Sequence, residues 1–213
     1  MKILLLGTPR SGSTSLVRLI DSHINVFNYK MFIEPFNSIL DNAIDSINPL
    51  LKYENILVKN LFLSGNDEYP KDSFKDMFEY LNWCYSFFDK IIILDRKDKV
   101  AQSESFTINE TMWREKGLDW HTPKIYDIDK IEPSYLKTMF DRYTESSEIL
   151  HNISNQHNFP IFYFEDIFLN KSRKHIELLF SYLDMELNEL NYTEYILSPI
   201  RKVRINKTEQ KLL

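Results

Sequence analysis

Ile3-Leu4-Leu5-Leu6-Gly7-Thr8-Pro9-Arg10-Ser11-Gly12-Ser13-Thr14 is the stretch from which the architecture of this chain follows. Four consecutive apolar residues that end on a turn signal read as a short strand buried on both faces. The loop that follows is built from Gly, Pro, Ser and Thr, and beyond it Leu16, Leu19, Ile20 and His23 recur at helical spacing. Similar apolar runs return at Ile56-Leu57-Val58, Ile91-Ile92-Ile93-Leu94 and Ile161-Phe162-Tyr163-Phe164, with helix-like segments between them at about 35–47, 72–84, 98–107, 134–156 and 171–184. Strands alternating with helices predict right-handed βαβ crossovers, hence an α/β fold of three αβα layers around a mainly parallel sheet. Residues 108–133, with Trp113, Gly117, Trp120 and His121, show no clear period; they read as a long functional loop or as sequence without a legible pattern. No repeat or linker interrupts residues 1–213, which read as one domain.

Composition narrows the class. The chain has 213 residues, enough for one domain with a sizeable core, and its 43% hydrophobic and 27% charged content is that of globular proteins. A single cysteine, Cys84, excludes a disulfide framework and any cysteine-cluster zinc site. A formal net charge of −5 argues against a dedicated nucleic-acid binder, which carries a basic face. No apolar run approaches the roughly 20 residues that span a bilayer. The opening Met1–Leu6 is too short for a secretory leader and meets no cleavage site before Gly7-Thr8-Pro9. The expectation is a soluble, cytoplasmic protein without a transmembrane segment or a metal.

The loop after the first strand has the spacing Gly7-x4-Gly12-Ser13-Thr14. Between a buried strand and a helix, such a loop offers backbone N–H groups and a helix N-terminus to an anion. The spacing matches the nucleotide-binding P-loop, with Ser13 in place of its lysine, and a positive charge appears instead within the loop at Arg10. Phosphoryl transfer from a nucleoside triphosphate uses that lysine together with Mg²⁺. A loop carrying one arginine suits a less charged group. An ordinary strand-to-helix turn capped by Ser or Thr is the alternative.

Pro9-Arg10-Ser11-Gly12-Ser13-Thr14 resembles the 5′-phosphosulfate loop of the PAPS-dependent sulfotransferases, in the arginine form of the carbohydrate and tyrosylprotein members. Asp95-Arg96-Lys97-Asp98-Lys99-Val100-Ala101-Gln102-Ser103-Glu104-Ser105 is similar to the family's 3′-phosphate element, an arginine at a strand end followed by a serine. A forked guanidinium with a hydroxyl donor is suited to a terminal phosphate. Two registers are possible, one with Ser105 and one with Ser103; residues two apart point to different sides of a helix, so one of them serves, and Ser105 is favoured. Tyr163-Phe164-Glu165-Asp166-Ile167 resembles the family's Y-E-D-L segment, where Glu165 and Asp166 read as structural, helix-capping groups. The tail Pro199-Ile200-Arg201-Lys202-Val203-Arg204 lies where family members close a cationic loop over the nucleotide.

The resemblance implies a P-loop NTPase-like sulfotransferase fold and metal-free, in-line transfer of a sulfuryl group from PAPS (3′-phosphoadenosine 5′-phosphosulfate) to a hydroxyl, a carbohydrate being favoured. It implies nucleotide binding by Pro9, Arg10, Ser11, Gly12, Ser13, Thr14, Ser15, Arg96, Ser103 or Ser105, Arg201 and Lys202. Glu34, in Phe32-Ile33-Glu34-Pro35-Phe36, matches the family's catalytic glutamate; otherwise it is a carboxylate at a helix start. Lys59, at the end of Ile56-Leu57-Val58, resembles the lysine that touches the sulfonate or acceptor; otherwise it is a surface lysine. His121, with Trp113 and Trp120, reads as an acceptor-pocket or plain loop residue. The alternatives in function are a P-loop kinase without its lysine, for which Leu94-Asp95 would supply the metal-binding acid, and a non-catalytic nucleotide-binding protein on the same scaffold.

Overall fold

The computed structural model describes residues 1–24, 30–33, 52–64, 75, 79, 82–83, 85–116, 126–127, 131–193, 196 and 205–206. Among them the strands are β1 (Lys2–Gly7), β2 (Lys30–Ile33), β3 (Ile56–Leu61), β4 (Lys90–Asp95), β5 (Tyr126–Asp127), β6 (Ile161–Tyr163) and β7 (Ile205–Asn206). The helices are α1 (Ser13–Ile24), α2 (Lys99–Lys116), α3 (Pro133–His157), α4 (Arg173–Tyr182) and α5 (Glu189–Tyr192), with a π turn over Glu165–Leu169.

Five strands form one sheet in the order β2-β3-β1-β4-β6, and every neighbouring pair is parallel. β1 is central, and its Ile3, Leu4, Leu5 and Leu6 are essentially inaccessible to solvent. Alternation along this strand separates the layers. Ile3 and Leu5 pack with Leu16, Leu19 and Ile20 of α1 and with Ile176, Leu179 and Phe180 of α4. Leu4 and Leu6 face the other way, onto Leu150 and Ile153 of α3. A continuous apolar strand is thus buried on both faces, as its sequence requires. The α/β three-layer expectation holds.

Register brings the functional stretches to one edge. Gly7 stands opposite Leu61 of β3 and Leu94 of β4, so the loop after β1, Lys59 and Asn60, and Asp95 with Arg96 share the carboxyl edge of the sheet. Ligands bind at this edge in open α/β folds. Close approach explains Gly7: a Cβ there would lie 2.8 Å from the Leu94 carbonyl oxygen.

Several boundaries differ from the sequence reading. β2 was not legible. α2 continues to Lys116, so the first third of the unpatterned 108–133 stretch is helix. Packing against α3 replaces the missing apolar period, with Thr107 and Ile108 buried and the Tyr135 hydroxyl donating to Glu110. β6 ends at Tyr163, and Phe164 already belongs to the turn that follows. β5 pairs in parallel with β7, joining the 108–133 stretch to the tail beyond Leu197. The helix expected at 35–47 lies outside the described residues. No helix among the described residues is long and apolar enough to cross a membrane.

Candidate functional site

The loop between β1 and α1 makes a tight turn that only part of its sequence can adopt freely. Gly12 has φ +84°, and a Cβ on it would meet the rings of Phe164 and Phe168 at 2.7 and 2.8 Å. Glycine relieves both constraints. Arg10 also takes the left-handed region, at φ +64°, which is uncommon for a residue other than glycine, and such backbone clusters at ligand-binding loops. Ser13, Thr14 and Ser15 open α1, and their N–H groups have no acceptor within the helix. The first intrahelical bond runs from the Leu16 N–H to the Gly12 carbonyl, at 3.1 Å.

Three elements fix the loop from outside. From α2, the buried Gln102 amide donates to Thr8 Oγ1 at 2.6 Å and to the Pro9 carbonyl at 2.8 Å. From the segment after β4, Arg96 donates to the Arg10 carbonyl at 3.4 Å. From β3, the buried Lys59 ammonium donates to Thr14 Oγ1 at 3.2 Å.

The structure brings Arg10, Arg96 and Ser105 together. Arg10 Nε donates to Ser105 Oγ at 3.0 Å. Ser103, two residues earlier, turns its hydroxyl back to the Lys99 carbonyl of its own helix at 2.7 Å. Arg96 is held over the Phe164 ring at 4.7 Å and faces the Glu165 carboxylate at 3.8 Å. Burial pushes both guanidinium groups below their ordinary values, and at Arg10 the neighbouring Arg96 charge adds to the effect. Two partly dehydrated cations side by side are the electrostatic counterpart of an anion.

The remaining expected residues divide clearly. Ser11 is fully buried, and its hydroxyl has no hydrogen-bond partner among the described residues. Ser15 is exposed on the first turn of α1. Glu34, Arg201, Lys202, Trp120 and His121 lie outside the described residues, and Trp113 falls within α2. Glu165 caps, as read, but the helix it caps is α2: its carboxylate accepts the Lys97 N–H at 2.9 Å and the Asp98 N–H at 3.0 Å. Asp95, the acid a kinase would need, is buried with both oxygens engaged. Lys99 donates to Oδ1 at 2.6 Å, Ser147 donates to Oδ2, and His151 lies 3.4 Å from Oδ2. Among the described residues, no His, Cys, Asp and Glu side chains gather in groups of three or more that would hold a metal ion. The sequence reading missed Tyr143, Ser147 and His151, which carry no motif and lie within the ordinary polar-apolar pattern of α3.

In sequence, no family model and no curated protein matches this chain. In structure it is similar to mouse sulfotransferase SULT7A1, solved in complex with PAP, with a TM-score of 0.57 and 13% identity over 92% of this chain. The architecture is a sulfotransferase fold. The chain spans 63% of the length of that sulfotransferase.

Proposed function

We propose that this protein is a PAPS-dependent sulfotransferase that moves a sulfuryl group to an acceptor hydroxyl, on a sugar by preference. The observation that carries this reading is the convergence of Arg10, Arg96 and Ser105 around a glycine-turned loop at the carboxyl edge of a sulfotransferase fold. The residues present fit the nucleotide. Two half-buried guanidinium groups, the Ser11 hydroxyl that has no partner among the described residues, and the N–H groups at the start of α1 that have no acceptor within the helix are donors suited to a multiply charged oxyanion.

PAPS supplies the sulfuryl group. Arg10 and the loop N–H groups hold the phosphosulfate, and Arg10 offsets the charge that develops on the departing phosphate oxygen. Arg96 and Ser105 hold the 3′-phosphate, with Arg201 and Lys202 closing over the nucleotide. Glu34 accepts the acceptor's hydroxyl proton as the new O–S bond forms; a positioned base is worth about 10²–10⁴-fold. Lys59 steadies the transferred group. Positioning and electrostatics in a shielded cleft supply the remaining rate, and the reaction takes place in the cytoplasm.

Calorimetric titration with 3′-phosphoadenosine 5′-phosphate, and with ATP as control, both without metal, tests the reading. Micromolar binding of the bisphosphate is expected, weakened about 10- to 100-fold by Arg10→Ala or Arg96→Ala, as for a lost charge-assisted hydrogen bond. Tighter binding of ATP in a parallel titration with Mg²⁺ would overturn it in favour of a kinase. Bisphosphate binding that Glu34→Ala leaves intact, with no sulfuryl transfer by the native chain to any sugar tested, would leave a nucleotide-binding protein.

A further inference from the structure

Tyr143, on α3, is fully buried, yet its hydroxyl has no hydrogen-bond partner among the described residues. A buried phenol ordinarily finds one, because an unpaired donor in a low-dielectric interior is costly. Its ring is fixed by Leu63 and Met139 and by Phe106, which meets it edge-on at 6.1 Å, so the hydroxyl cannot turn out to water. The cations within electrostatic reach of the hydroxyl are Arg10, Arg142 and Arg96. Arg142 is anchored elsewhere, donating from Nε to the Ser64 carbonyl at 2.5 Å. The other two are Arg10 of the anion loop and Arg96, which donates to the Arg10 carbonyl from the segment after β4.

Burial pushes the phenol well above the ordinary tyrosine value, so it keeps its proton at any working pH. The group is therefore a buried donor without an acceptor among the described residues, within electrostatic reach of Arg10 and of Arg96, whose charge the Glu165 carboxylate only partly offsets from 3.8 Å. One ligand oxygen would satisfy the hydroxyl and meet both cations.

We propose that the Tyr143 hydroxyl is a further ligand-binding group of this site, donating a hydrogen bond to an oxygen of the phosphate or sulfonate held by Arg10 and Arg96. The inference rests on the nucleotide reading above and adds to it a neutral donor contributed by α3. Such a donor strengthens the anion's binding without adding positive charge to a crowded pair. A buried water would satisfy the same hydroxyl, and the test separates the two.

Native protein and Tyr143→Phe are titrated with 3′-phosphoadenosine 5′-phosphate, and both are melted with and without it. The substitution removes one oxygen that has no partner, so the unliganded variant should melt at the native temperature or slightly above. Its affinity for the bisphosphate should fall about tenfold or more, as expected for a hydrogen bond to a charged group, and the ligand-induced rise in melting temperature should shrink accordingly. Affinity within twofold of native, at whatever melting temperature, would make Tyr143 a packing or water-bound residue and overturn the inference alone. A native protein that takes up no bisphosphate would overturn the nucleotide reading, and this inference with it.

Discussion

Asp95 shows how a single side chain at the sheet edge separates two chemistries. Its position, at the end of the strand beside β1, is where a phosphotransferase would keep its metal-binding carboxylate. Here the carboxylate is 1% exposed, and Lys99, Ser147 and His151 surround it. Removing one partner of a buried pair leaves the other charge uncompensated, which costs about 3–5 kcal/mol. Asp95→Ala should therefore lower the melting temperature by about 10 °C, at a few degrees per kcal/mol for a chain of this size. Affinity of the folded variant for 3′-phosphoadenosine 5′-phosphate should stay within a few-fold of native. A loss of nucleotide binding without a loss of stability would instead assign Asp95 to the ligand. Tyr143 belongs to the same scale, because its value also lies in which atom its hydroxyl meets.

At the scale of elements, the start of α2 carries most of the weight. Its first N–H groups need acceptors from outside the helix. Asp98 supplies one, accepting the Ala101 N–H at 2.9 Å from within the sequence. Glu165, on the π turn beyond β6, accepts the N–H of Asp98, the residue before the helix, and that of Lys97 ahead of it, and its Oε1 also faces Arg96 at 3.8 Å. The turn thus ties the end of the sheet to the helix that bears Gln102 and Ser105. Glu165→Ala should cost about 1–2 kcal/mol as a lost cap, read by melting, and should weaken bisphosphate binding more than Asp166→Ala does, because Arg96 loses the carboxylate that positions it. Equal effects of the two substitutions would confine Glu165 to capping. This contact also marks how far sequence carries. Glu165 reads as a capping residue from its place after an apolar run, but the helix it caps lies 67 residues away, a distance no local pattern encodes. β1, β3, β4 and β6 were legible because strands buried on both faces are continuously apolar. β2 was not, because four residues at the sheet edge carry too short a signal. The second half of α2 hid for the opposite reason: Asn109 donates to the Ser105 carbonyl of its own helix and Glu110 accepts from Tyr135 of α3, so polar contacts stand where an apolar stripe would show. Arg10, Arg96 and Ser105 could be picked out by resemblance, whereas Tyr143 could be found only once the helices were packed.

For the molecule as a whole, His23 joins the loop-bearing helix to the C-terminal part of the chain. It lies at the end of α1, 8% exposed, against the Phe180 ring of α4 at 4.3 Å. Its Nδ1 lies 2.7 Å from the Leu19 carbonyl, an acceptor, so that nitrogen carries the proton. Its Nε2 accepts the Asn188 N–H at 2.8 Å, so that nitrogen must be bare. The two bonds together select the neutral Nδ1–H tautomer. Burial lowers the folded-state pKa, against a smaller opposing effect from the Leu19 bond. A histidine depressed in the folded state contributes stability that is complete above its unfolded value of about 6.5 and is lost as the pH falls through the folded value. The loss is at most about 1.4 kcal/mol per pH unit, the limit for one proton. Protonation would also set an N–H against the Asn188 N–H and break the bond that holds the segment before α5. Melts of native protein between pH 7.5 and 5 should therefore fall more steeply than those of His23→Gln, whose amide keeps an acceptor for Asn188 and does not titrate. Parallel curves would mean that the ring can be protonated in place, with another group carrying the acid sensitivity. Because α1 also presents the loop N–H groups, the same acid step should weaken nucleotide binding in the native chain and spare it in the glutamine variant.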